Sequence, residues 1–254
     1  EVAALSAYAL VAVPGGRSLM AAFRYLILGT LGASFYLMGV VFFYAATGTL
    51  NMADLAEQLT DNDSKLMTSK TIIAGLTFMF IGLGIKMALF PLHGWLPGAY
   101  THAPDAVSPI LAALMTKVAL YAWVRIMFWV LGAGAEIGHV HVLSLLGVLG
   151  ALAAVVGALL ALSQQDVKRM FAYGGISHIG LILIGVSQGN PTGFAGGMFY
   201  LINDAVMQAG LFFIAGAAIY RHQAHTVEEW SRLRGASPWM TVALVVMVAK
   251  IICS

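Results

Sequence analysis

Charge is what this sequence has least of. Asp, Glu, Lys and Arg together make up 9% of its 254 residues, while 60% are hydrophobic; soluble globular domains carry about 25% charged residues. A surface so poor in charge does not belong to a soluble fold, and with mean hydropathy at +0.88 the chain reads as a polytopic membrane protein. Cysteine is almost missing. The lone Cys253 excludes a disulfide framework and any C-x-x-C metal or redox site. The net charge of +2 comes without a basic patch or aromatic-basic interleaving, so no nucleic-acid partner is expected. Neither a Gly-x-x-x-x-Gly-Lys phosphate loop nor a Gly-x-Gly-x-x-Gly dinucleotide fingerprint occurs. No cofactor site and no metal centre is expected, and any redox chemistry would belong to partner subunits.

What is present is a series of long apolar runs. Hydropathy and breakers outline segments at 1–13, 18–46, 69–90, 107–131, 140–163, 169–189, 193–220 and 238–254. A bilayer crossing takes about 20 helical residues, so six of these read as full membrane helices and the first and last as partial ones. The expected fold is an all-α membrane bundle, cut as an interior piece from a longer protein. Connectors carry turn chemistry, as in "VPGGR", "SQQDVKR" and "QGNPTG". Counted alternately, the connectors place Arg17, Arg24, Lys168, Arg169, Arg221, Arg232 and Arg234 on one side, read as cytoplasmic. Lys65, Lys70 and Arg125 fall on the other, alongside the acidic Asp54, Glu57, Asp61 and Asp63, provided that 69–90 and its broken continuation form one crossing. The expected location is the cell inner (plasma) membrane.

Inside these apolar runs lie ionisable groups: Glu1, Lys86, Lys117, His178, Asp204 and Lys250. A lysine at the bilayer centre costs about 2.5–3.5 kcal/mol on insertion scales, so such groups persist when paired, hydrated or at work. Lys86 precedes Pro91 and Pro97, which are read as breaking its helix and lining a cavity; the plain alternative is a helix-end lysine. Lys117 lies ten residues into "VSPILAALMTKVALYAWVRI", about 15 Å along the axis. It has no carboxylate within a turn, so its partner must come from another helix or from water. His178 sits about 15 Å from Lys168 on one helix by the same rise, where it could be a packing residue or a relay with a pKa suited to proton transfer. Asp204 could bind a cation with Asn203 or cap a helix irregularity. His222, His225 and Glu229 fall at helical spacing, but their polar surroundings favour a solvated face over a metal site.

The stretch "KMALFPLHGWLPGAYTHAPDAVSPILAALMTKVALYAWVRI" resembles the signature region of the proton-conducting membrane transporter family. That family comprises antiporter-like subunits of respiratory complex I, of membrane-bound hydrogenases and of Mrp-type cation/proton antiporters. "QQDVKRMFAYGGISHIGLILIGV" and "FYLINDAVMQAGLFFIAGAAI" are similar to its second and third blocks. The resemblance is greatest to the D subunit of Mrp-type antiporters, with the complex I pumping subunits next. It implies inverted five-helix repeats, each with one broken membrane helix, residues 1–131 forming most of the first and 138–254 opening the second. It implies protons, with sodium or potassium as a counter-ion, as cargo and other subunits of a membrane complex as partners. Carried over residue by residue, Glu1 and Lys86 match the buried pair beside the break. Lys117 matches a central lysine, His178 a histidine on the same polar axis, and Lys168 the lysine of the "DVKR" loop. Two departures stand out. Asn203-Asp204-Ala205 with Gln208 replaces a pattern of Asn-His-Ala and lysine, and Lys250 lies too early to take the role of the second repeat's terminal residue. A non-conducting scaffold subunit is the remaining alternative.

Overall fold

A computed structural model describes residues 2–60, 66–132, 136–137, 140–232, 242 and 245. Nearly everything described is helix. The elements are α1 (Val2–Ala12), α2 (Arg17–Thr47), α3 (Met52–Thr60), α4 (Lys70–Lys86), α5 (Leu96–His102), α6 (Ser108–Leu131), α7 (Val142–Leu162), α8 (Val167–Ser187), α9 (Pro191–His222) and α10 (Val227–Arg232). Two short antiparallel strands, Glu136–Ile137 and Val140–His141, form a hairpin between α6 and α7. In a bilayer each crossing must satisfy its own backbone, which helices do internally. Among the described residues, five helices (α2, α6, α7, α8 and α9) are long and apolar enough to cross.

Local chemistry sets the ends. Ser69 accepts a hydrogen bond from the Ile72 amide, Asp166 from the Arg169 amide and Asn190 from the Gly193 amide, each opening a helix. Gly48 closes α2 at a φ of 72°, where its amide donates to the Tyr44 carbonyl, a conformation glycine adopts without penalty. Small residues set the closest crossings. A Cβ on Gly82 would lie 2.5 Å from the Tyr36 amide nitrogen and 2.6 Å from the Gly32 carbonyl, so α2 and α4 touch backbone to backbone. Gly180 meets Gly150 and Ala154 in the same way, joining α8 to α7.

The expected crossing at 69–90 is the one most changed. Its helix ends at Lys86, and Ala88 turns left-handed with a φ of 56°. Pro91 therefore lies in the connector after the break, and Pro97 opens the short helix α5. Carbonyls at the break are not left exposed. Leu83 accepts from the Met87 amide, Gly84 from the Leu89 amide, and Ile85 from the Trp95 indole at 2.8 Å. Tyr25 stacks on Trp95 at 4.4 Å and Tyr8 meets Tyr25 edge-on, so an aromatic column from α1 and α2 holds the break. The acidic residues Asp54 and Glu57 lie on α3, a short helix too polar to register as a crossing. Asp61, Asp63 and Lys65 lie outside the described residues.

Three apolar clusters make up the core of the described residues. One gathers Trp95, Leu96, Leu111, Ala112, Ile176 and Phe212 around the break; another gathers Leu83, Met87, Leu120, Trp123, Ile179 and Ile182. Lys117 and His178 fall in sequence between residues of the first cluster and residues of the second. The polar residues thus occupy the seam between two dry regions.

Candidate functional site

Helix α6 carries Lys117 into that seam. Its stretch Leu111–Met115 winds as a π-helix, a local widening that recurs at functional sites. There the Lys117 ammonium donates to the Ala112 carbonyl at 2.9 Å, and the Leu111 carbonyl accepts from the Tyr100 hydroxyl at 2.9 Å. The ammonium also meets Asp204 Oδ2 at 2.8 Å, with the two side chains 6% and 0% exposed. Asp204, supplied by α9, is thus the counter-charge that Lys117 needs. Apart from this ion pair, neither of its oxygens has a hydrogen-bond donor among the described residues.

His178, on α8, comes within 3.9 Å of the other Asp204 oxygen through Nδ1. The same nitrogen is 2.6 Å from the Tyr200 hydroxyl, and the two rings stack at 5.8 Å. Three helices thus place a lysine, a carboxylate, an imidazole and a phenol in succession. Burial leaves the carboxylate dependent on the lysine's charge, because a lone ion at this depth is several kcal/mol unfavourable. Moving a proton between Lys117 and Asp204 would remove both charges at once, and His178 Nδ1 lies between that carboxylate and the Tyr200 hydroxyl. Tyr200 is not conspicuous in the sequence. The available signal is its spacing, one helical turn before Asp204 in "FYLIND".

A second buried ion pair lies nearer the end of the bundle. Lys168 Nζ meets Asp105 Oδ1 at 2.6 Å and also donates to the Ala103 carbonyl at 3.1 Å and Ser108 Oγ at 3.2 Å. The lysine side chain is 5% exposed and the carboxylate 36%. Sequence reasoning misses Asp105, because an aspartate in a connector looks like ordinary loop chemistry.

Lys86 ends α4, half-buried, with Leu83 and Met87 beside it in the same cluster as Leu120 and Trp123 near Lys117. Glu1 and Lys250 lie outside the described residues. No group of three metal-ligating side chains occurs among the described residues. Glu229 instead accepts hydrogen bonds from the His225 and Thr226 amides at 2.7 and 2.9 Å, while Thr226 Oγ1 accepts from the Glu229 amide. That is a capping box for α10.

Known proteins share this arrangement of helices. Residues 1–253 match the transmembrane family described as NADH:quinone oxidoreductase/Mrp antiporter. The chain is 42% identical over 252 residues to NADH-quinone oxidoreductase subunit N of Desulforudis audaxviator, covering 99% of this chain and 49% of that protein. It is 32% identical over 220 residues to the D subunit of the Na(+)/H(+) antiporter of Bacillus subtilis, covering 86% and 43%. Among solved structures it is similar to a chain of the membrane-bound sulfane sulfur reductase, an archaeal respiratory membrane complex. There the TM-score is 0.84 at 34% identity, with 96% of this chain and 49% of that one covered. The chain spans about half the length of the relatives it matches.

Proposed function

The chain belongs to the NADH:quinone oxidoreductase/Mrp antiporter transmembrane family, and we propose that it is a membrane-embedded proton-translocating subunit of a multisubunit complex. The observation that carries this is the buried Lys117–Asp204 pair with His178 3.9 Å from its second oxygen. Such a pair is a poor way to stabilise a bundle, since apolar residues of similar volume do as well or better. As a proton carrier it is well suited: its two protonation states differ in charge separation, so a nearby change in charge moves the proton.

In this reading Lys86 is the input to the pair. A change in its pairing with Glu1 alters its proton affinity, and it exchanges a proton with Lys117 directly or through water. Leu83 and Met87 beside Lys86 share an apolar cluster with Leu120 and Trp123 of α6, which holds the two helices together. The proton itself needs a hydrated route around that contact, because apolar packing does not conduct. His178 and Tyr200 continue the path into the second repeat, which residues 138–254 open, while residues 1–131 form most of the first.

The driving force we assign is redox energy from partner subunits of an NADH-quinone oxidoreductase-type complex. The 42% identity to one oxidoreductase relative, against 32% and 35% for two antiporter relatives, is the ground for preferring it to the cation/proton antiporter expected from sequence. A sodium- or potassium-driven exchange is the second reading, supported by the antiporter relative itself. The test is Lys117→Ala in the full-length protein assembled in its complex, with proton movement followed in membrane vesicles. Transport should be abolished while assembly is retained; normal transport would sink the proposal, and lost assembly with normal transport per complex would leave a scaffold. Driving the vesicles by quinone reduction in the absence of added sodium or potassium, and then by a cation gradient alone, separates the two energy sources.

A further inference from the structure

The hairpin of α1 and α2 leaves a groove beside its turn, about 650 Å³ in volume and lined almost entirely by apolar side chains. That falls within the roughly 300–1,000 Å³ of ligand pockets. Tyr8 and Ala22 are its buried members, while Leu19, Met20 and Phe23 stand 55–60% exposed along it. α1 contributes Ala12, too small to fill the space, and the turn that follows passes through Gly15 and Gly16 at φ of 74° and 60°.

Two arginines border the groove. Arg17 and Arg24 are seven residues apart on α2, and Met20 lies three positions from one and four from the other, so all three share a helix face. Both arginines are exposed, and neither guanidinium has an ion-pair partner among the described residues. Arg24 lies about 10 Å further along the axis, a depth from which an arginine snorkels back toward the headgroups. Both fall on the side read as cytoplasmic, where the leaflet carries anionic lipid. A protein helix laid in the groove would have to bury both charges, which is unfavourable unless it brings carboxylates of its own. The closest helix contacts in this bundle are made instead at glycines such as Gly82 and Gly180. A phospholipid offers the matching parts: a flexible apolar chain for the groove and a phosphate that suits the planar guanidinium fork.

The groove is also connected to the helix break. Tyr8 meets Tyr25 edge-on at 4.4 Å, Tyr25 stacks on Trp95 at 4.4 Å, and the Trp95 indole donates to the Ile85 carbonyl, one residue before Lys86. All three rings are buried. We propose that the groove holds one acyl chain of an anionic phospholipid from the cytoplasmic leaflet, with its phosphate on Arg17 and Arg24, and that this lipid steadies the break through Tyr8. The acyl chain supplies the packing atoms that the void beside Tyr8 lacks, and Tyr25 and Trp95 pass the restraint on to the Ile85 carbonyl. The site goes beyond proton translocation and stands whether or not the chain conducts.

The test uses the full-length protein in its assembled complex, delipidated and returned to nanodiscs of phosphatidylcholine with increasing phosphatidylglycerol. Retained lipid is counted by native mass spectrometry for the parent, for Arg17→Gln combined with Arg24→Gln, for Ala12→Phe and, as a control, for Arg221→Gln. Each basic residue near the membrane surface strengthens anionic-lipid binding about fivefold. The parent and the control should therefore prefer phosphatidylglycerol by more than about tenfold, and the double arginine variant should show no preference. Ala12→Phe fills the groove and should abolish retention of either lipid. A preference that survives the double arginine change, a loss of equal size in Arg221→Gln, or unchanged retention in Ala12→Phe overturns the site. If Ala12→Phe fails to assemble, a photo-reactive group on Leu19→Cys decides. Lipid adducts are expected, and adducts to another segment of the chain or to another subunit would show that protein covers the groove and overturn the proposal. Hydrogen exchange at the Met87 and Leu89 amides, which bond to the Leu83 and Gly84 carbonyls at the break, reads the coupling. Their protection should rise several-fold with phosphatidylglycerol in the parent and stay flat in the double arginine variant. Tyr8→Leu should keep the lipid and lose that response. Equal protection in the parent with and without phosphatidylglycerol refutes the action on the break.

Discussion

Among the described residues, two Lys–Asp pairs with buried lysines share a composition and nearly a length, 2.8 Å for Lys117–Asp204 and 2.6 Å for Lys168–Asp105. Their surroundings differ. Asp204 is wholly enclosed and has no hydrogen-bond donor besides the lysine among the described residues. Asp105 keeps 36% of its side chain exposed, and its lysine has a carbonyl and a hydroxyl as further partners. Bulk water reaches the carboxylate at the rim and does not reach the one in the seam. One pair is therefore coupled tightly to any change of charge nearby, while the other exchanges readily with solvent.

The largest effect should come from breaking the inner pair on one side only. Asp204→Ala strands the Lys117 charge and should cost about 3–5 kcal/mol. The double variant, Lys117→Met with Asp204→Leu, is expected at the parent stability or up to about 4 kcal/mol above it. Thermal unfolding of the detergent-solubilised complex measures both variants, and proton transport should be absent in both. An equal loss of stability in the double variant would show that the pair is structural.

Next comes the relay beyond that pair. Tyr200→Phe removes the hydroxyl 2.6 Å from His178 Nδ1 and should cost about 1 kcal/mol of stability, with slower transport. Transport at the parent rate would end the path at His178. At the rim, Asp105→Ala should cost less than Asp204→Ala in the same unfolding measurement, because the carboxylate is partly solvated and Lys168 keeps the Ala103 carbonyl and the Ser108 hydroxyl as partners. A cost matching that of Asp204→Ala would erase the contrast between the pairs.

The smallest effect lies outside the membrane, at α10. Backbone amides of Thr226 and His225, together with the Thr226 hydroxyl, hold the Glu229 carboxyl below its ordinary value. Its contribution is present above the unfolded glutamate value and is lost as pH falls through the lower, folded one. Protection of the Val227–Arg232 amides from hydrogen exchange, relative to the intrinsic rate at each pH, should therefore fall on acidification below the usual glutamate range. It should be less pH-sensitive in Glu229→Gln.

Much of the architecture is legible from residue order. The segments expected at 18–46, 107–131, 140–163, 169–189 and 193–220 correspond to α2, α6, α7, α8 and α9 within about three residues at either end. Bilayer thickness and helix-internal hydrogen bonding leave a long apolar run little alternative. The break is legible as a break, but its position is not. Pro91 is the obvious breaker in sequence, yet the helix has already ended at Lys86, and the indole of Trp95 is what makes that ending tolerable. Lys117 and His178 stand out because a titratable group in an apolar run is conspicuous wherever it lies. Asp105 and Tyr200 do not, because a loop aspartate and a membrane tyrosine are both common.

The sequence by itself determined that this is a helical membrane chain, where its crossings lie and which buried groups demand partners. Each of those facts depends on a short window of residues and on the solvent around it. Only the tertiary structure decided who the partners are. Lys117 meets Asp204, Lys168 meets Asp105 and Glu229 turns back on its own helix end. Coulomb attraction and hydrogen bonding act over a few ångströms, and which side chains come that close depends on how helices distant in sequence cross at contacts such as Gly82 on Gly32 and Gly180 on Gly150.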